Sequence, residues 1–318
     1  MPEWLIEQGI GESRAVLIEE GAIVEALIQL HNVCATGSII AARLTSVGAN
    51  GRNAVAADEH GREYLLPRGA AGVTEGAALT IEVTREAIPG TEPWKRPLAK
   101  ISSEPAAVAP VLYGSELPFP SHEDRLAEFG WNNLLEEARS GIVRFAGGEL
   151  RISPTPAMTL VDVDGSLPSD ELAVRGAAEA AKAIRRLQIG GSTGIDLPTS
   201  GSKRARQEAA EAIDENLPRP FERTAVNGFG FVQIVRPRQR ASLVELALDR
   251  ASFEARALLR QAAFERAGAK RLVAHRAVVA VLESHKDWTD ALSRQLGGTI
   301  ELRADAALPM SGGYAEKI

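Results

Sequence analysis

The chain has 318 residues, of which 45% are hydrophobic and 25% charged, with a formal net charge of −6. That balance belongs to folded globular domains rather than disordered chains. No apolar run reaches the roughly 20 residues that cross a bilayer, and the acidic opening MPEWLIEQGIGES lacks the basic start of a secretory signal, so a cytoplasmic protein with no membrane partner is expected.

Cys34 is the single cysteine, which excludes an intrachain disulfide and a thiolate zinc site. The five histidines, His31, His60, His122, His275 and His285, show no His-x-x-x-His spacing. Any catalytic metal therefore has to sit on oxygens. The negative net charge argues against coating nucleic acid by bulk attraction, while a local basic channel stays open, because phosphate contacts depend on where Lys and Arg lie.

The opening EWLIEQGIGESRAVLIEEGAIVEALIQ alternates apolar runs with glycine turns and predicts a β-meander of two or three strands in residues 1–36. From Thr36 to Ile101 five short strands with turn signals between them have the size of an OB-fold barrel, placed at 37–101. Residues 102–123 are rich in Pro, Ser and Ala and read as a linker. A layered α/β domain is expected over 124–245. It starts with a helix near Asp124 to Ser140, then the strands IVRFAG, ELRIS and AMTLVDVD. A helix follows over Ser169–Leu187 with a Ser-Asp cap, then the strand STGIDLP, a second helix KRARQEAAEAIDEN, and strands at RTAVN and GFVQIVRP. The remainder, 246–318, reads as a small α/β subdomain: a long helix to about Ala267, then strand, helix, strand. The fold class expected is α/β in the α+β multidomain sense.

Two strands of the middle domain end in acids, MTLVDVDGS with Asp162 and Asp164, and GGSTGIDLP with Asp196. A strand, helix and return strand in the interval between Asp162 and Asp196 place two parallel strands in one sheet, often as neighbours. Ligands of open α/β sheets bind at the carboxyl edge of such strands. Carboxylates gathered there repel one another unless a hard divalent ion such as Mg²⁺ neutralises them. The ordinary alternative is that such aspartates cap a following turn or helix. Arg236, Arg238 and Arg240 alternate after GFVQIV and fall on one face of an extended chain, either as a phosphate track or as a strand end paired with Glu245 or Asp249. Lys203, Arg204 and Arg206 open a helix just past Asp196, either near the same ligand or as a solvated helix face.

GGELRISPTPAMTLVDVDGS resembles the catalytic segment of the ribonuclease E/G family, in which a Gly-Gly turn, a strand and a Thr precede Thr-x-x-Asp-x-Asn-Ser. GGSTGIDLPTS is similar to that family's Gly-Gly-(apolar)-Ile-Asp-Phe strand, and NGFGFVQIVRPRQRASL to its Arg-rich strand, in the same order and spacing. The start, EQGIGESRAVLIEEGAIVE, is similar to the family's opening, into which an S1-type OB domain is inserted.

The resemblance implies a DNase I-like catalytic domain and a reduced RNase H-like region formed by 1–36 with part of 102–145. It implies that Asp162 and Asp196 hold Mg²⁺, with Mn²⁺ as a substitute, and that Asp164 stands where the family has an Asn that orients the metal site. The implied activity is endonucleolytic hydrolysis of single-stranded RNA, leaving a 5′-phosphate and a 3′-hydroxyl. Arg236, Arg238, Arg240, Lys203, Arg43, Arg62 and Tyr64 are the expected RNA contacts. The added charge at Asp164 acts in two directions, tightening a metal and repelling a phosphate.

The chain departs from the family in three places. The Cys-Pro-x-Cys element that joins subunits through zinc is absent, so a homodimer would form without a zinc link. No Arg-Thr pair lies between 102 and 145, so indifference to the RNA 5′ end is expected. The family's barrel aromatics are replaced by Val55 and Leu65, with Tyr64 adjacent, leaving Arg43, Arg52, Arg62 and Arg68 to hold RNA weakly. Trp4, Trp94, Trp131 and Trp288 read as packing anchors. Two competitors follow: an RNA-binding protein that keeps the scaffold without cleavage, and a metal-dependent phosphoesterase for small phosphorylated molecules.

Overall fold

The computed structural model describes residues 2–89, 95–107, 114–121 and 123–318; Trp94 and His122 lie outside the described residues. The chain opens with β1 (Glu3–Gln8), β2 (Glu12–Glu19) and β3 (Ala22–Leu30). Five short strands follow: β4 (Ile39–Ser46), β5 (Ala54–Ala57), β6 (Glu63–Leu66), β7 (Ala78–Arg85) and β8 (Leu98–Ile101). After β9 (Ser115–Leu117) come α1 (Arg125–Glu128) and α2 (Trp131–Ser140). Next are β10 (Ile142–Phe145), β11 (Gly148–Pro154), β12 (Thr159–Gly165), α3 (Ser169–Arg186), β13 (Gly191–Asp196), α4 (Lys203–Asn216), β14 (Glu222–Arg223) and β15 (Phe231–Arg236). The chain closes with α5 (Leu243–Leu246), α6 (Arg250–Ala263), β16 (Lys270–Ala274), α7 (Arg276–Ser284), α8 (Lys286–Leu296), β17 (Ile300–Ala304) and β18 (Tyr314–Lys317).

These elements form two compact units, each drawn from separated stretches. One comprises Met1–Asn32, Leu112–Arg139 and Leu246–Ile318; the other comprises Val33–Val111 and Ser140–Glu245.

In the first unit the expected meander is a sheet of order β3-β2-β1-β9, with β9 added in parallel to β1. A second sheet, β17-β16-β18, joins α6, α7 and α8 around Leu258, Leu259, Val278, Leu282 and Leu292. The helix expected near 124–140 is broken at Gly130, whose φ of 98° is left-handed and open to glycine. The long helix expected to Ala267 is likewise two, because Asp249 caps the second by accepting from the Ser252 N–H at 3.3 Å. Two helices, not one, follow β16, and β18 is an additional strand.

Beneath the meander lies a buried ionic network that the sequence pattern did not announce. Glu7 accepts from Arg14 at 2.7 Å and Arg260 at 2.8 Å, and Glu12 from Arg14 at 2.8 Å and Arg256 at 2.7 Å. Arg260 also reaches Asp124 at 2.8 and 2.6 Å. Burial alone would raise the Glu12 carboxyl, but the charges of Arg14 and Arg256 outweigh it and hold the group below its ordinary range.

In the second unit the five short strands close into a barrel of order β4-β5-β6-β8-β7, with β6 and β8 parallel. Leu44, Tyr64, Leu66, Ile81 and Val83 fill it. The other body is a mixed six-stranded sheet, β10-β11-β12-β13-β15-β14, in which only β12 and β13 run parallel. The Gln239 carbonyl ties the two bodies by accepting from the Glu86 N–H at 2.7 Å and the Thr36 hydroxyl at 2.7 Å.

The sheet has a covered face and an open one. Along β12, Thr159, Val161 and Val163 are buried, while Leu160, Asp162 and Asp164 are exposed, the period-two pattern of a half-covered strand. The covering layer is α3 with α4. The buried stripe of α3 is largely Ala173, Ala177, Ala180, Ala181 and Ile184. Gly176 permits the close approach, since a Cβ there would lie 2.4 Å from Val163 Cγ1. Acids Asp170 and Glu171 in the first turn and Arg185 and Arg186 in the last complement the helix dipole. The helix is entered from Pro168 with no side-chain cap, so the expected Ser-Asp cap does not form; Asp170 is engaged instead with the Ser200 hydroxyl at 2.5 Å.

Candidate functional site

The crossover β12–α3–β13 brings the two acid-bearing strands side by side. Their parallel register pairs Thr159 with Thr193, Leu160 with Gly194, Val161 with Ile195 and Asp162 with Asp196. Paired residues point to the same face, so Asp162 and Asp196 are neighbours on the open side while Val161 and Ile195 lie beneath α3. Asp162 also stands opposite Arg151 on β11, and Asp196 opposite Phe231 on β15. One continuous row, Arg151–Asp162–Asp196–Phe231, therefore crosses four strands.

Asp164 lies on the same face two residues along, opposite Glu149. Its carboxylate is 3.8 Å from Arg151, which also donates to Glu149 at 2.6 Å. Partial burial and then the charges of Asp164 and Asp196 push the Asp162 carboxyl above its ordinary value, against the opposing pull of Arg151. The face is thus short of positive charge at the point where the two strands meet.

That deficit is what a divalent cation relieves. Among the described residues no three His, Cys, Asp or Glu side chains gather closely enough to enclose a metal ion. Mg²⁺, however, keeps several waters and is commonly held by one or two carboxylates together with substrate phosphate. An exposed pair, Asp162 with Asp196, fits that mode and does not fit a closed protein cage.

The expected RNA contacts are placed differently. Asp196 pairs with Phe231, and Gly191 with Arg236, at opposite ends of the β13–β15 pairing. Arg236 is therefore about five residues, roughly 17 Å, along the strand from Asp196. It faces the helix layer and donates to the carbonyls of Ile184 at 3.4 Å and Ile189 at 3.2 Å. Arg238 is bonded to Glu245, one of the two partners expected of a structural strand end. Arg240 is half-buried and its charge acts on Glu86. The three arginines hold the end of the strand in place and do not form a track beside the aspartates.

Lys203 is exposed in the first turn of α4, while Arg204 pairs with Glu208 and Arg206 with the Ser200 carbonyl, as in a solvated helix start. On the barrel, Arg43 is exposed and bonded to the Gly76 carbonyl, and Arg62 is clamped to Asp58 at 2.6 Å. Tyr64 is a correction: its ring is buried at 1% exposure in the barrel core, with its hydroxyl directed to Asp58 at 3.3 Å, so no face is free to stack on a base.

Arg151, Phe229 and Phe231 are the residues the sequence reading passed over. A signal for Arg151 existed in ELRIS, where it alternates between Leu150 and Ile152 and so falls on the face opposite the core. Phe231 was hidden because an aromatic in a strand-like run ordinarily signals packing, and Phe229 because it falls in the turn between Gly228 and Gly230, outside the predicted strands.

No protein-family model matches the chain, and none of the curated proteins matches it significantly. The site therefore stands on its own geometry.

Proposed function

We propose that the protein is a Mg²⁺-dependent endoribonuclease that hydrolyses phosphodiester bonds of single-stranded RNA to 5′-phosphate and 3′-hydroxyl ends. The observation that carries this reading is the pairing of Asp162 with Asp196 in parallel register on an open sheet face, together with the raised carboxyl of Asp162. In this reading the closed five-stranded barrel is an S1-type OB fold, and the sheet with its α3–α4 layer is a DNase I-like catalytic domain, as the resemblance to the ribonuclease E/G family implies.

Asp162 and Asp196 would hold the cation, with Asp164 orienting the site from the same face. A cation so held supplies hydroxide near neutral pH and steadies charge on the phosphoryl group. The strand register keeps both carboxylates exposed on the open face. Arg151, in the same row, offsets part of their negative charge and is placed to steady an incoming phosphate. Hydrolysis adds water across the P–O3′ bond, so the 5′ fragment leaves with its hydroxyl and the phosphate stays on the 3′ fragment.

A fluorogenic single-stranded RNA incubated with Mg²⁺ tests the reading. Turnover should vanish in EDTA and fall about 100-fold or more in Asp162→Asn and Asp196→Asn. Turnover untouched by both substitutions removes the site from the reaction. Salt-dependent binding with no turnover would instead identify a non-cleaving RNA-binding protein, and suppression by mononucleotides would identify a small-molecule phosphoesterase.

A further inference from the structure

We infer that the open face beside the aspartates carries a nucleobase-stacking site, built by Phe229 with the shelf of Phe231 and Leu160, that selects substrates with an unpaired base next to the reacting phosphate. The inference rests on reading the Asp162–Asp196 pair as a site for RNA phosphodiesters.

Phe229 is 81% exposed, above every other large hydrophobic residue described, the next being Leu248 at 54%. Loose structure is not the cause. The Asn227 side chain accepts from the N–H groups of Phe229 at 2.9 Å and Phe231 at 3.1 Å. Gly230 has a φ of 92°, and a Cβ there would lie 2.2 Å from the Leu197 carbonyl oxygen. That same glycine accepts from the Leu197 N–H at 3.2 Å, and the Thr199 hydroxyl donates to the Phe229 carbonyl at 3.2 Å. The turn is thus fastened to the residues that directly follow Asp196, and it presents an apolar ring to water at a fixed place.

Phe231 and Leu160 extend the apolar surface along the sheet. A Cβ on Gly194 would come within 2.6 Å of Phe231 Cζ and 3.2 Å of Leu160 Cδ2, so the Phe231 ring lies across the glycine toward Leu160. Leu160 is 40% exposed and pairs with Gly194, two residues before the Asp162–Asp196 row. Two residues of strand span roughly 7 Å, the scale of one nucleotide. Apolar surface therefore flanks the carboxylates on both sides, with Phe229 beyond the end of β13 and the shelf behind it.

The charge around the pair decides what occupies this surface. Asp162, Asp164, Asp196 and Glu149 repel a polyanion except where a cation bridges, and Arg236, Arg238 and Arg240 are engaged at the far end of β15. Arg144 and Arg151 offset only part of this negative charge and are themselves shared with Glu149 and Asp164, so charge alone holds RNA weakly here, and an exposed aromatic face adds base stacking that tolerates every base. A base inside a duplex has no free face to offer, so the same geometry selects single strands.

The test is fluorescence anisotropy of a labelled, phosphorothioate-linked single-stranded RNA decamer that resists hydrolysis, with Mg²⁺ present. Phe229→Ala should weaken binding about 5- to 150-fold, the equivalent of one stacked base, while Phe229→Trp should stay within about threefold of the wild type. The corresponding duplex and an abasic decamer should not discriminate wild type from Phe229→Ala. Melting temperature and sedimentation should be unchanged, because the ring is exposed. Equal decamer affinity in wild type and Phe229→Ala, no binding by the wild type, or a change of oligomeric state instead of affinity overturns the inference. Stacking through Phe229 with no cleavage of an unmodified RNA upholds the inference and overturns the nuclease reading, so the two fail separately.

Discussion

Asp162 and Asp196 are register partners across two parallel strands, and the ionised form of Asp162 is opposed by burial and by the charges of Asp164 and Asp196. A carboxyl whose folded-state pKa is raised contributes stability that is complete below its ordinary value of 3.8 and is lost as pH rises through the folded value. At neutral pH the ionised side chain therefore works against the fold. Asp162→Asn should melt higher than the wild type at pH 7 in EDTA. Mg²⁺ should raise the melting temperature of the wild type, since a ligand that binds only the folded state stabilises it by mass action, and should leave Asp162→Asn unmoved. Scanning fluorimetry with and without Mg²⁺ checks both, and an equal Mg²⁺ response in the two proteins counts against the pair as the cation site.

After burial, the charge of Asp164 contributes most to the pH at which this site becomes available. It raises the Asp162 pKa from two residues away on the same face, so Asp164→Asn should lower that pKa and move the acid limb of Mg²⁺-dependent stabilisation to lower pH. The same shift should appear in the acid limb of RNA turnover. A profile that keeps its acid limb in the variant would mean that another group controls it.

The parallel pairing of Asp162 with Asp196 was legible because a strand, an alanine-rich helix and a second strand leave little choice of topology. The barrel was legible from five short strands and their turns. Two features were not. Alternation put the arginines at 236, 238 and 240 on one face as a phosphate track or a structural strand end, and could not show that the antiparallel direction of β15 carries them away from Asp196. The alternative of a strand end paired with Glu245 was legible and holds for Arg238, whereas the carbonyls at the end of α3 that take up Arg236 were not. Tyr64 illustrates a similar limit, since an aromatic at a barrel strand serves the inside or the outside depending on a one-residue register.

Gly194 is another position whose meaning appears only in three dimensions. It leaves room for the end of the Phe231 ring, since a methyl group there would meet Phe231 Cζ at 2.6 Å. Gly194→Ala should destabilise the protein by about 1 kcal/mol, the low end for overpacking because the tip of the half-buried Phe231 ring can turn aside, and Gly194→Ala with Phe231→Leu should recover part of that loss. Urea denaturation of the two proteins measures the difference. A Gly194→Ala protein as stable as the wild type would place the ring elsewhere.

The buried network of the first unit escaped a pattern reading because Glu7, Glu12 and Arg14 sit in a run that alternates like any strand, while their partners Arg256 and Arg260 come from the other end of the chain. Removing one member leaves charges without compensation in a dry site. Arg260→Met strips Asp124 of two bonds and Glu7 of two, and should cost about 3–5 kcal/mol of stability. The carboxyls also set the acid limit. Burial would raise Asp124, yet its bonds to Arg260 hold it below its ordinary value of 3.8, and Glu12 is held below 4.5. A depressed carboxyl contributes stability that is present above its unfolded value and is lost as pH falls through the folded one. Wild-type stability should therefore decline as pH drops below about 4.5, and Arg260→Met should decline less steeply over the same range because Asp124 no longer has its partner. Denaturation midpoints between pH 3 and pH 6 distinguish the two curves, and parallel curves would show that Arg260 does not set the Asp124 titration.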